Sequence, residues 1–88
     1  MSYQIELTPR AAKELKRLPK PVQKRIARWF DVLAEDPRCE GSKKLEGGSG
    51  LYRAHVGRDY VIVYTILDDV SVVLIVRVAN RREAYRGL

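Results

Sequence analysis

Ten residues near the C-terminus, Arg77-Val78-Ala79-Asn80-Arg81-Arg82-Glu83-Ala84-Tyr85-Arg86, hold four arginines and one tyrosine directly after a strongly apolar run. Guanidinium groups suit phosphate oxygens, because they offer forked donors and stay charged at any physiological pH. A phenol among them supplies a stacking surface or, if the positive field lowers its pKa, a proton-transfer group. A second set lies upstream in Leu51-Tyr52-Arg53-Ala54-His55-Val56. The period of two in a strand puts Arg53 and His55 on one face and Tyr52, Ala54 and Val56 on the other. Arg53 and His55 would then face Arg77, Arg81 and Arg82 across a cationic cleft, with Arg58 in the following turn and Lys43 and Lys44 on the approach. An ordinary solvated strand face would look the same, and a charged last turn is common on solvated chain ends.

These residues need a scaffold, and the pattern of apolar residues outlines one. Tyr3, Ile5 and Leu7 alternate with Gln4 and Glu6, the signature of a half-buried strand. Thr8-Pro9 starts a helix, with Thr8 as cap and Pro9 at the first helical position. Ala11, Ala12, Leu15 and Leu18 share a face of this helix, and Pro19 and Pro21 break it. A second helix from about Pro21 carries Val22, Ile26, Trp29, Phe30 and Leu33 at helical spacing and ends by Asp36, ahead of Pro37. Lys13, Lys16, Arg17, Lys20, Lys24, Arg25 and Arg28 lie mostly away from those apolar faces, a diffuse basic footprint.

Residues 38–50 are rich in glycine and serine and predict a loop. Gly47-Gly48-Ser49-Gly50 precedes a strand and lacks the helix N-terminus that a phosphate cradle needs. Three strands follow at about 51–56, 60–67 and 71–78, and their short turns imply an antiparallel meander. The middle run, Tyr60 to Leu67, has almost no polar alternation and reads as a central strand covered on both faces. The expected fold is α+β: a two-layer β-α-α-β-β-β domain with a helical hairpin on one face of a mainly antiparallel four-stranded sheet and a short basic C-terminal segment. The core is drawn from Leu15, Leu18, Ile26, Trp29, Phe30, Leu33, Ile62, Tyr64, Leu74 and Val76, and the other sheet face is left for function.

The 88 residues make one domain, 1–88, of net charge +6 and sequence pI near 9.8. Such charge speeds association with polyanions. Cys39 is the only cysteine and His55 the only histidine, which excludes an intrachain disulfide, a CxxC redox pair and a thiolate-rich metal site. No metal and no cofactor are expected. Nothing resembles a secretory leader or a bilayer-spanning stretch, so the expected compartment is the cytoplasm, with no membrane partner. Walker A, GxSxG and HExxH sequences are absent.

The order of these features resembles the RelE toxins of toxin–antitoxin systems, within the wider RelE/ParE superfamily. The carriers are Tyr3 through Ala11, Pro37-Arg38 ahead of Lys44-Leu45-Glu46-Gly47, Leu51 through Gly57, Asp59-Tyr60 through Val63-Tyr64, the apolar strand Val72 to Val78, and Arg81-Arg82-Glu83-Ala84-Tyr85-Arg86. ParE-like members, which inhibit DNA gyrase, share the scaffold but usually lack this basic, tyrosine-containing end.

The resemblance implies a ribosome-dependent mRNA endonuclease, an mRNA interferase, that enters the ribosomal A site and works without a metal. In that chemistry a ribose 2′-hydroxyl attacks the adjacent phosphate. It implies a cognate antitoxin that masks the cleft, ribosome and mRNA as further partners, and a free toxin that is monomeric. Arg53, His55, Arg81 and Tyr85 match the catalytic positions: Arg53 and Arg81 for transition-state charge, His55 as acid or base, Tyr85 as base or stacking platform. Arg58, Arg77, Arg82, Arg86, Lys43 and Lys44 are the expected RNA contacts. Val61 stands where the ribonuclease branch usually has a phosphate-facing arginine, and a missing donor of that kind typically lowers the rate about 10²–10³-fold. Gyrase inhibition, or a weakened protein that retains RNA and antitoxin binding, are the alternatives.

Overall fold

The computed structural model describes residues 2–86. Strand β1 (Gln4–Leu7) leads into α1 (Pro9–Arg17) and α2 (Lys20–Glu35). Strands β2 (Ser42–Lys44), β3 (Leu51–Val56) and β4 (Tyr60–Leu67), a 3-10 turn (Asp68–Val70) and β5 (Val72–Asn80) follow. The Thr8 hydroxyl accepts from the Ala11 N–H at 3.1 Å, and Pro9 occupies the first turn. Helix α1 closes at Leu18, which is extended because Pro19 follows it.

The sheet order is β1-β5-β4-β3-β2, with β1 parallel to β5 and all other pairs antiparallel. The two helices cover one face, giving the two-layer α+β architecture. There Ile26 and Leu33 of α2 and Ala11 of α1 meet Ala54, Val56, Ile62, Tyr64, Val73, Ile75 and Val78 of the sheet. Each large aliphatic side chain so buried stabilises the fold by about 1.5–3 kcal/mol. Tyr64 is fully buried, stacks on Tyr52 at 5.8 Å and donates its hydroxyl to the Pro37 carbonyl at 2.7 Å. Burial pushes its pKa up to about 12, so it stays a neutral donor that anchors the chain leaving α2.

Three expectations need correction. The sheet has five strands, because Ser42, Lys43 and Lys44, expected in a loop, pair with Ala54, Arg53 and Tyr52. The Leu45 N–H extends that ladder to the Leu51 carbonyl at 2.8 Å. On β5, Val73, Ile75 and Val78 enter the helix-side core, and Leu74 and Val76 stay only half-buried outside it. The register shifts at Val63/Tyr64, where Tyr64 pairs with Ile75 but Val63 pairs with Arg77, leaving Val76 as an extra residue. This bulge reverses the alternation, so Ile75 joins the helix-side core and Arg77 does not.

Lastly, the sheet face opposite the helices is not open throughout. Val61, Val63, Ala79 and Ala84 form a second buried cluster there, with Leu45 and Leu51 packed against it. Residues 81–86 form a turn that lays Ala84 over the sheet. Asn80 starts this turn: its carbonyl accepts from the N–H groups of Glu83 and Ala84, and its side chain accepts from Arg82.

Candidate functional site

The register of the sheet defines the second face residue by residue. His55 lies opposite Val61, which lies opposite Ala79. Two residues along, Lys43, Arg53, Val63 and Arg77 form the next row. Arg81 continues past β5, its N–H donating to the Asp59 carbonyl at 2.8 Å, which brings it back beside the β3–β4 turn.

Arg53, His55 and Arg81 come together here. The His55 imidazole is partly buried and its pKa is lowered, first by desolvation and then by the charges of Arg53 and Arg81. The shift favours the neutral form of the ring, the form that can accept a proton. Lys43, exposed and opposite Arg53, extends the positive row outward.

Tyr85 stands at the other end of the face. It is 40% exposed and lines a groove of about 380 Å³ with Leu45, Glu46, Gly47, Ser49 and Leu51. Leu51 precedes His55 by four residues of β3, roughly 13 Å at the usual rise per strand residue. The imidazole and the phenol thus mark two ends of one strip, and the buried Ala84 under the C-terminal turn sets the height of Tyr85 above the sheet.

The remaining expected contacts divide. Arg82 and Arg86 are exposed on the C-terminal turn. Arg58 lines a separate groove of about 190 Å³ beside α2, with Val22, Arg25 and Val56. Lys44 pairs opposite Tyr52, so alternation puts it on the Tyr52 side of the sheet, away from Arg53.

Arg77 is the clear departure, because it is no open phosphate contact. It is 4% exposed, and its guanidinium meets Glu14 through Nε at 3.1 and 3.0 Å and through Nη2 at 2.8 Å. Its Nη1 donates to the carbonyls of Ala84 at 3.4 Å and Arg86 at 3.0 Å. Glu14 also accepts the Val78 N–H at 3.1 Å, where β5 has outrun its partner β1. Glu14 is the residue that sequence reasoning missed. Its only signal was a lone acid among the basic positions of α1.

Val61 is fully buried between His55 and Ala79 and beneath the C-terminal turn. The side chain that replaces the expected arginine is a packing element of the face, so the positive charge of the site rests on Arg53 and Arg81. Among the described residues no group of three or more His, Cys, Asp or Glu side chains is placed to hold a metal ion, and no helix is long and apolar enough to cross a membrane.

Known proteins share this fold. The family described as "ParE toxin of type II toxin-antitoxin system, parDE" matches residues 5–85. The chain is 28% identical to the mRNA interferase toxin RelE of Escherichia coli K12 over 96% of this chain and 88% of that one. In structure it is similar to a chain of the archaeal RelE–RelB complex from Pyrococcus horikoshii, with a TM-score of 0.79, 30% identity and coverage of 92% and 97%. It is also similar to a chain of the RelBE2 toxin–antitoxin complex from Mycobacterium tuberculosis, with a TM-score of 0.82, 26% identity and coverage of 92% and 100%. With the likeness extending along nearly its whole length in both sequence and fold, the chain belongs to the ParE toxin family of type II toxin–antitoxin systems and is a RelE-type toxin.

Proposed function

We propose that this toxin is a ribosome-dependent mRNA endonuclease that acts in the A site and is neutralised by a RelB-like antitoxin. One observation carries the reading: Arg53 shares the sheet face of His55, and the backbone bond from Arg81 to Asp59 brings a second guanidinium back to the same end of that face. Cleavage by transesterification needs a base for the 2′-hydroxyl and positive charge for the phosphorane. His55 takes the 2′-hydroxyl proton as the 2′-oxygen bonds to phosphorus. The bond from phosphorus to the 5′-oxygen breaks, the leaving oxygen takes a proton from solvent water, protonated His55 returns its proton to solvent, and a 2′,3′-cyclic phosphate remains upstream. Arg53 and Arg81 balance the added negative charge. Tyr85, at the far end of the strip, serves better as a stacking platform for the neighbouring base than as the base catalyst.

Metal-free chemistry, the cytoplasmic site of action and an antitoxin partner belong to the same proposal. The relative's description as an mRNA interferase supports RNA cleavage, and the toxin–antitoxin complexes of the structural neighbours support the antitoxin partner. The ParE description of the family keeps gyrase inhibition as the rival.

Mapping mRNA ends on translating ribosomes, with gyrase supercoiling assayed in parallel, separates the two. The parent chain is expected to cleave. Arg81→Gln should slow cleavage about 10²–10³-fold, the usual effect of losing one donor to the developing charge. Tyr85→Ala should slow it through the loss of about 1–3 kcal/mol of base stacking. Loss of supercoiling with intact mRNA would overturn the reading.

A further inference from the structure

We propose that Glu14 and Arg77 are positioning residues: the ion pair of partly exposed Glu14 with buried Arg77 fixes the C-terminal turn against the sheet and thereby places Tyr85. The catalytic part of this inference rests on the RNA-cleaving function proposed above, whereas the anchoring part does not.

The chain from α1 to the phenol is continuous. Glu14, on the helix, accepts from Arg77 Nε and Nη2 and from the Val78 backbone. Those bonds fix the guanidinium plane, and its remaining face reaches the carbonyls of Ala84 and Arg86. These two residues bracket Tyr85. The side chain of Ala84 is fully buried against the sheet, while Tyr85 and Arg86 are exposed. The short turn therefore has one apolar contact and two carbonyl contacts holding it in place.

The chemistry of the pair fits such a device. A guanidinium holds four acceptors in one rigid plane, which an ammonium cannot do. Breaking one side leaves a buried charge without its counterion, so the arrangement has no easy intermediate geometry. The bulge at Val76 has the same effect, since it turns Arg77 away from the helix-side core and towards Glu14. Sequence separation hides the link: Glu14 and Arg77 are 63 residues apart.

Reaction rates respond strongly to misplacement of a bound group, with a shift of about 1 Å able to lower a rate about 10²-fold. Glu14 is given no contact with substrate. Its effect on cleavage must pass through the turn.

The test uses the full chain and combines amide hydrogen exchange with cleavage on programmed ribosomes. Glu14→Gln keeps the shape and one acceptor but removes the charge, and Arg77→Lys keeps the charge but not the fork. In both variants the amides of Glu83, Ala84 and Arg86 are expected to exchange at least roughly tenfold faster, while those of β3 and β4 keep their protection. The cleavage kcat should fall at least roughly tenfold, with the KM for ribosomes changed less than about threefold, because Tyr85 acts on the message within the docked complex and not on docking itself. In a Tyr85→Ala background Glu14→Gln should add little further loss, because the two substitutions remove the same contribution.

Unchanged exchange in the turn overturns the anchoring claim, and that readout stands even if the parent cleaves no RNA, an outcome that would fall on the proposed function alone. Faster exchange with undiminished cleavage, or full additivity with Tyr85→Ala, overturns the positioning claim. If Glu14→Gln also deprotects β3 and β4, the pair supports the whole fold and the proposal fails.

Discussion

At the scale of single residues, the site turns on an imidazole whose protonation is set by its surroundings. Desolvation first, and the charges of Arg53 and Arg81 second, lower the pKa of His55 below its ordinary 6.5. In the unfolded chain the same ring binds its proton near 6.5. As pH falls from there towards the folded pKa, unfolding takes up a proton and stability declines. Above that window the contribution of the ring no longer changes with pH. His55 is the only histidine, so its ring resonances report the titration without assignment by mutation. An NMR titration is expected to give a midpoint below 6.5, and Arg53→Gln or Arg81→Gln should move it upward by removing a like charge. The acid limb of the cleavage rate should follow the same midpoint. A midpoint at or above 6.5 in the parent would mean that the ring is neither desolvated nor acted on by the two guanidinium groups, and the grouping of Arg53 and Arg81 around His55 would fall.

At the scale of elements, β2 is the strand that the sequence concealed, and its reason lies elsewhere in the chain. Three residues inside a glycine- and serine-rich stretch have no alternation long enough to read. Ser42–Lys44 is extended because β3 offers it an edge. Gly41 delivers the chain to that edge with φ +95, and a methyl group placed on it would meet Trp29 Cη2 at 3.1 Å. Gly41→Ala is therefore expected to destabilise the fold by about 1–2 kcal/mol, from the left-handed backbone and the clash with Trp29 together. Denaturant unfolding would measure this, and faster exchange of the Ser42 to Leu45 amides would show β2 leaving first. No change in either would show that the chain can reach β3 by another path.

The rest of the fold was far more legible. Strands β3 and β4 lie where alternation and apolar runs placed them, and α1 begins at the Thr8-Pro9 cap, because those signals are local. The pairing of Arg53 with His55 on the face away from the helices followed from the same alternation. The phase of β5 did not, since a bulge depends on the partner strand, and alternation alone therefore leaves Arg77 on an open face although Glu14 binds it.

At the scale of the whole molecule, the net charge of +6 is spread over two faces with different neighbours. The sheet side presents Lys43, Arg53, Arg81 and Arg82 around the strip from His55 to Tyr85. The helical hairpin exposes Lys13, Lys16, Arg17, Lys20, Lys24, Arg25 and Arg28. Among the described residues the ion pairs are Arg77 with Glu14 and Arg38 with Asp68, so neither neutralises this helical set. A protein that only gripped a single RNA strand would need one such face, whereas one that works inside a ribosomal cavity meets phosphate on both. Replacing Lys13, Lys16 and Lys20 by serine is therefore expected to raise the KM for ribosomes and leave kcat nearly unchanged. The log–log salt dependence of ribosome binding should become shallower, by somewhat less than about one unit of slope for each lysine–phosphate pairing removed. In the free toxin the same replacements should raise the unfolding temperature at low salt and matter little at high salt, because they relieve repulsion between like charges that salt already screens. Ribosome pelleting and thermal melts across a salt series read both effects. Unchanged ribosome affinity with a raised melting temperature would assign the helical charge to solubility and leave RNA binding to the sheet face alone.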